Sequence, residues 1–387
     1  MGKTRTASAR IPSLDGLRGV AAFVVLISHI MLTFPAFAIA VYETGTTLTP
    51  GTWDWWITYT PLHMVWAGHE AVYVFFVLSG FVLTLPVIAR ESYSWRQYYP
   101  KRLVRLYAPV IGAVVLGIGF VFLAPRDDSA GLGPWLRDRP VDPTLWGTLK
   151  DMTLVAGPSR LISPLWSLQW EILFSLLLPA YILFAVRQRR MLPIKLTVIL
   201  LVVAAGCITG QQALIYMPMF AIGSLMAEHM SSLGNWARQL GGIEWGALFA
   251  TSTILASTRW TLPAITADER ASSLATVPAL VGCVGIVVTA AYCPAAKNIL
   301  NTRLAQWLGL VSFSLYLTHE PIVIALAFFF GPGGSWLVAL TAIPTSLAVG
   351  WLFFLAVERP SHRLAQRVGK AFSKKAEPEL TATLARR

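Results

Sequence analysis

Residues 70 to 89 read EAVYVFFVLSGFVLTLPVIA, a stretch whose only charge is its first residue, Glu70. About 20 apolar residues are what an α-helix needs to cross the hydrocarbon core of a bilayer, so this stretch reads as a transmembrane helix. Outward from it, comparable runs lie near 17 to 41, 106 to 124, 166 to 186 and 192 to 209. Five more lie near 211 to 230, 244 to 258, 274 to 293, 307 to 330 and 335 to 357. The least regular are 211 to 230, which carries Pro218, and 244 to 258, short enough for a re-entrant segment. Composition agrees: 55% of the 387 residues are hydrophobic and 13% charged, with mean hydropathy +0.60. A soluble chain of this length needs far less apolar material for its core. The expected fold is an all-α integral membrane protein, with about ten transmembrane helices in one bundle.

An even number of spans puts both termini on one side, and basic residues near span ends stay cytoplasmic. With the N-terminus inside, 23 of the 31 Lys and Arg residues fall on inner segments and 7 on outer ones, Arg18 sitting at a span end. Both termini are therefore expected in the cytoplasm of a bacterial cell, the chain being multi-pass in its cytoplasmic membrane. A cleaved signal peptide ending near Ala38-Ile39-Ala40 is the competing reading of the start, but Asp15 and Arg18 interrupt it and it would be long. The net charge of +12 is scattered in short clusters between apolar runs, not gathered into a nucleic-acid surface. Cys207, Cys283 and Cys293 show neither metal-ligand spacing nor a disulfide framework. Residues 371–387, rich in Lys, Glu, Ala and Thr, are expected to be a disordered cytoplasmic tail. The outer stretch 125 to 165, rich in Gly and Pro, is expected to cap a cavity.

Ionisable residues inside apolar spans are costly and mark function by default. Arg18 and His29 share the first span, eleven residues apart, which brings them within roughly 20° on one face and about 16 Å along the axis. A guanidinium suits phosphate or carboxylate recognition at the cytoplasmic mouth of a groove, and an imidazole accepts a proton near neutral pH. The bland reading has Arg18 snorkelling to headgroups and His29 making one interhelical hydrogen bond.

The segment Pro12-Ser13-Leu14-Asp15-Gly16-Leu17-Arg18-Gly19, with His29 beyond it, resembles the opening motif of the membrane acyltransferase family 3. The likeness continues through 74 to 81, the basic Arg102-Leu103-Val104-Arg105, the segment 166 to 171 and Ser314-Leu315-Tyr316-Leu317-Thr318-His319. That resemblance implies about ten spans over residues 1–370, transfer of acetyl or longer acyl groups from acyl-CoA to sugars, polysaccharides or glycosylated natural products, and Arg18 with His29 as the essential pair. Glu70 and Ala71 stand where many relatives carry a glycine, and Gln169 and Trp170 where aliphatic residues are commoner. These departures bear on substrate fit more than on chemistry. Some relatives append a hydrolase-like domain; none follows here, so the acceptor is expected to reach the membrane cavity itself.

Arg102 and Arg105, three apart, would aim two guanidiniums at one point, either to hold CoA phosphates or as an ordinary basic membrane-surface patch. Ser167 and Glu171 share a face of the fourth span near the outer interface, where the carboxylate would orient an acceptor hydroxyl or else form an internal salt bridge. Trp166 and Trp170 offer flat faces for a sugar ring and are equally ordinary interface anchors. His319 is read as a thioester or acceptor contact, or a structural bond; its neighbour Glu320 points elsewhere on a helix, and Pro321 suggests unwinding. His69 and Glu70, at an outer span end, are acceptor contacts. His63 and His69 are too loosely spaced for zinc, and no metal is expected. His229, His362 and Glu358 lie near cytoplasmic interfaces, where solvation is expected to account for them.

The expected function is O-acyl transfer from acetyl-CoA or another short acyl-CoA to a hydroxylated sugar or glycosylated acceptor. Envelope glycan, lipid-linked glycan and macrolide-type antibiotic all fit. His29 would serve as base, either directly or through an acyl-histidine. A proton-coupled transporter of glycan or lipid is the alternative from another class; the internal repeats common in such proteins are not evident.

Overall fold

A computed structural model describes residues 11–374, apart from 44–47, 91–92, 127–130, 155–156, 158 and 267–268. The described residues form helices and no strands. The long ones are α1 (Pro12–Met31), α2 (Gly68–Ile88), α3 (Trp95–Leu123), α4 (Leu165–Val186), α5 (Leu192–Thr209) and α6 (Gln212–Glu228). They continue as α7 (Gly242–Ala256), α8 (Thr276–Tyr292), α9 (Arg303–Phe330), α10 (Ser335–Phe353) and α11 (Arg359–Lys374).

Every apolar run in the sequence is helical, but not all are long enough to span. Eight helices among the described residues have the length and hydropathy to cross a membrane, as an integral membrane protein requires. A ninth is reached if α6 and the helix Met230–Ala237, bent by 72°, form one span. At 15 residues, α7 is about 22 Å long and falls short of the roughly 30 Å core. The first span is shorter than the expected 17 to 41: α1 stops at Met31, and Pro35 opens a separate short helix to Tyr42. Proline lacks the N–H that a continuing helix would use and is favoured in a first helical turn. Toward the C-terminus α10 passes through a π turn at Phe354–Glu358 into the basic amphipathic α11, which runs to Lys374, four residues into the expected tail. The rest of that tail, 375–387, lies outside the described residues.

Small residues bring the helix backbones together, as membrane bundles require in the absence of a hydrophobic drive between helices. At the crossing of α2 with α6, a Cβ on Gly80 would meet the Phe220 carbonyl and one on Gly223 the Val77 carbonyl. Beside them Thr84 Oγ1 donates to Ser224 Oγ at 2.9 Å. At the crossing of α1 with α9, a Cβ on Gly19 would meet the Gly309 amide, and one on Gly16 would meet the carbonyl of Leu300, at the end of the short helix before α9. Both helices run in the same direction from this crossing, so ten residues further along each, His29 and His319 stand side by side.

Candidate active site

Two cavities open between the helices, and Tyr316 lines both. The first, about 150 Å³, opens toward the end of the bundle where α1 begins and is lined by Arg18, Arg102, Arg105, Ser167, Glu171 and Glu358 among others. The second, about 500 Å³, lies toward the opposite end and is lined by His29, His69, Glu70, Trp166, Tyr216 and Trp260 among others. Arg18 and His29 share α1 but face these two different chambers. Tyr316 forms the partition: its hydroxyl sits 2.8 Å from Ser167 Oγ and donates to the Pro164 carbonyl at 3.1 Å.

In the first chamber Arg102 is engaged from the side of α4. Its Nη2 is 2.5 Å from Glu171 Oε1, and its Nε donates to Ser175 Oγ at 3.1 Å. Glu171, expected beside an acceptor near the outer interface, therefore belongs to the opposite chamber. Six residues of helix below Leu165 carry it about 9 Å toward the α1 start, where the guanidinium reaches it. Arg18 pairs with Asp15 at 3.6 Å. Glu358, expected to be solvated at an interface, is instead 4% exposed: the π turn sets it inward, where it accepts from Ser314 through Oγ at 2.5 Å and the backbone amide at 3.1 Å, and His362 lines the chamber beside it. Arg105 lines the same chamber and, among the described residues, has no carboxylate within 4.0 Å. The arrangement suits a polyanion that replaces or bridges these internal pairs.

The second chamber holds the reactive geometry. Backbone carbonyls can only accept, so they assign protons in neutral imidazole rings. His319 Nδ1 lies 2.8 Å from the Leu315 carbonyl and carries the proton, leaving its Nε2 an acceptor. His29 Nδ1 lies 2.9 Å from the Val25 carbonyl and 3.0 Å from His319 Nε2, so one N–H is shared between them. The lone pair of His29 Nε2 is then left for the cavity. Glu320 Oε1 stands 3.8 Å from that nitrogen, ready to face an imidazolium. Glu320 is itself held by Arg139 at 3.0 Å and by the Ser163 amide and hydroxyl. Arg139 is fixed in turn by the Trp135 carbonyl at 3.1 Å, the Arg160 carbonyl at 3.3 Å and the Trp135 ring beneath it.

The residues singled out from sequence thus divide between the chambers. Trp166, His69 and Glu70 join His29 in the second, whereas Arg18, Arg102, Arg105, Ser167 and Glu171 line the first. Trp170 lines neither and packs near Tyr216 at 5.8 Å between ring centroids. His319, expected to touch thioester or acceptor, also lines neither, because its bond to the Leu315 carbonyl turns it onto the back of His29. Helix α9 runs unbroken through Pro321, and His319 and Glu320 reach His29 from two sides without bonding each other. Sequence reasoning missed Arg139, counted only as an outer-loop charge, and Tyr316, quoted only within a motif. From the stretch 125 to 165, Arg160, Ser163 and Pro164 line the second chamber, with Trp135 and Arg139 behind them against His29 and Glu320; residues 127–130, 155–156 and 158 lie outside the described residues. Among the described residues no cluster of three or more His, Cys, Asp or Glu is arranged to hold a metal.

Comparison with known proteins places this geometry in context. A profile of the acyltransferase domain of acyltransferase family 3 matches residues 11–355. Acyltransferase MdmB of Streptomyces mycarofaciens is 24% identical over 398 aligned positions, which cover 92% of this chain and 93% of that protein. No solved structure matches.

Proposed function

The chain belongs to acyltransferase family 3, and from that premise we propose that it moves an acetyl or other short acyl group from cytoplasmic acyl-CoA to a hydroxyl of a carbohydrate-containing acceptor. The single observation that carries the reading is the lone pair of His29 Nε2, left free toward the second chamber by the contacts of its Nδ1 to Val25 and His319.

The basic bias of the inner segments supports a cytoplasmic first chamber. There Arg18, Arg102 and Arg105 hold the donor phosphates, and Glu171 acts on the donor side by releasing Arg102 as phosphate arrives. Tyr316 releases its bonds to Ser167 and Pro164 and turns aside, so that the pantetheine arm crosses the partition and brings the thioester carbonyl to His29. The acceptor hydroxyl enters from the other side and gives its proton to His29 Nε2 as its oxygen attacks that carbonyl. The tetrahedral intermediate collapses with cleavage of the C–S bond. His29 returns the proton to the departing sulfur, so ester and free CoA thiol are the products. Glu320 stabilises the transient imidazolium, and the Arg139 pair keeps that carboxylate in position. Trp166 and Glu70 contact the acceptor. Because donor and acceptor approach from opposite ends of the bundle, transfer needs no separate carrier for an activated acyl group.

Mass spectrometry of envelope glycans and secreted metabolites, with and without the protein, tests the proposal. A product heavier by one acyl group, formed only with the protein, is expected. Movement of an unmodified glycan across the membrane with no ester formed would instead favour a carrier.

A further inference from the structure

We infer that Glu70 and Arg259 form an acceptor-specificity subsite for an uncharged ring that carries a second hydroxyl beside the one acylated. The inference rests on the acyltransferase reading of the second chamber. Glu70 sits in the first turn of α2, is 1% exposed and lines the same cavity as His29. Neither of its carboxylate oxygens has a partner within strict hydrogen-bond distance among the described residues, and the side-chain donor that reaches toward it is Trp260. Its nearest cation, Arg259 Nη1, is 3.8 Å away and donates to the Tyr73 hydroxyl at 2.8 Å instead. A buried carboxylate offers about four acceptor sites, so this wall of the cavity suits a ligand that donates.

The surroundings narrow the ligand further. The Trp260 indole lines the cavity, and its buried Nε1 interacts with the Glu70 carboxylate from beyond strict hydrogen-bond distance, so donor and acceptor meet at one edge. Its ring stacks on His63 at 4.2 Å, while Trp166 stacks on His69 at 5.8 Å, so the walls present flat faces. Flat faces with a mixed donor and acceptor edge match a hydroxylated ring. Charge decides between neutral and ionic versions of it. Arg259 offsets the Glu70 charge, so a ligand ammonium gains little there and a ligand carboxylate is not drawn in; a hydroxyl donates to Glu70 without adding charge. Position follows from the helix packing, since Gly68 lies directly against Ser28, next to His29. The subsite therefore reads a hydroxyl that neighbours the reacting one.

The test uses the full chain purified in detergent and methyl glycosides of neutral hexoses as probes, compared with their 2-amino-2-deoxy counterparts. Binding is read by quenching of tryptophan fluorescence, and transfer by labelled acetyl-CoA. Neutral glycosides should bind saturably and better than amino glycosides. Glu70→Ala should weaken neutral glycosides by roughly tenfold or more, as expected when a buried hydrogen-bonding site loses its partner, with the affinity for acetyl-CoA unchanged. Arg259→Met should reverse the preference toward amino glycosides. Glu70→Gln, nearly isosteric, checks that any loss is not misfolding and should show an intermediate affinity. Equal affinity of wild type and Glu70→Ala, or no glycoside binding by wild type, overturns the subsite. Glycoside binding that depends on Glu70 without any labelled ester would leave the subsite standing and remove the acyltransferase reading instead.

Discussion

Nδ1 of His29 lies 3.0 Å from Nε2 of His319, and the two rings are tilted by 57° with centroids 4.9 Å apart. His319 in turn is tied to the Leu315 carbonyl, so a proton position on one helix is set by the backbone of another. In the proposed reaction His319 is thus a positioning residue for His29.

Replacing it separates positioning from packing. His319→Ala should lower kcat by roughly tenfold to a hundredfold, at or below the low end of the roughly 10²–10⁴-fold that a general base contributes, because the base itself stays in place, with the KM of donor and acceptor unchanged. His319→Gln, which still offers an acceptor, should recover part of the rate. Steady-state kinetics on both variants check this; a rise in KM with unchanged kcat would mean that His319 serves binding.

Arg139 and Glu320 form a pair with side-chain exposures of 4% and 0%. Removing one member strands the other's charge in the interior, a loss of about 3–5 kcal/mol. Arg139→Met should therefore sharply lower the melting temperature in detergent, and the double variant Arg139→Met with Glu320→Met should regain much of it. The double variant should nevertheless turn over poorly, because the imidazolium of His29 then faces no carboxylate.

Gly19 brings α1 against α9. A Cβ there would meet the Gly309 amide and Leu308, whereas a Cβ on Gly119 meets nothing within 4 Å. Gly19→Ala should force the helices apart, part His29 from His319 and destabilise the protein. Gly119→Ala should be neutral or stabilising by up to about 1 kcal/mol, because alanine is the better helix former. Thermal melting of both variants reads the difference.

His63 lies between spans, with its Nδ1 buried and unpartnered. Burial, then Arg259 and His69, hold its ring well below the ordinary 6.5. The unfolded chain binds a proton near that ordinary value and the folded one does not. Its contribution to stability is therefore complete above about pH 6.5 and is lost as pH falls from there toward the lower folded value. Melting temperatures should drop on acidification through this window, and less so in His63→Gln.

Much of this was legible in the residues. The apolar runs announce helices because no other open structure satisfies its backbone in lipid, and the guanidinium–imidazole spacing on α1 follows from 3.6 residues per turn. What stayed hidden depends on neighbours in space. Helical spacing puts Arg18 and His29 on one face, but Tyr316, on another helix, divides the groove that this face borders. Of the two readings of Glu171 the structure shows the internal salt bridge, with Arg102, a choice hidden in the sequence because depth along α4 depends on where that helix begins relative to α3. Arg139 was invisible as a catalytic neighbour because its loop has no periodicity to show that it folds inward. The adjacency of His319 and Glu320 argued correctly against a dyad between them, yet it gave no sign that a third residue stands between their reaches. The glycines flanking Arg18 were the unused signal: paired with Gly309, ten residues before His319, they mark the crossing that aligns the two histidines.

The central claim is that His29 Nε2 takes the acceptor proton while the donor is held from the other chamber. The most direct measurement compares wild type and His29→Ala, purified in detergent, for labelled acetyl-CoA binding and for labelled ester formation on an acceptor that wild type modifies. The variant should bind acetyl-CoA with wild-type affinity and form ester at a rate lower by roughly 10²–10⁴-fold; ester formation at the wild-type rate would contradict the account.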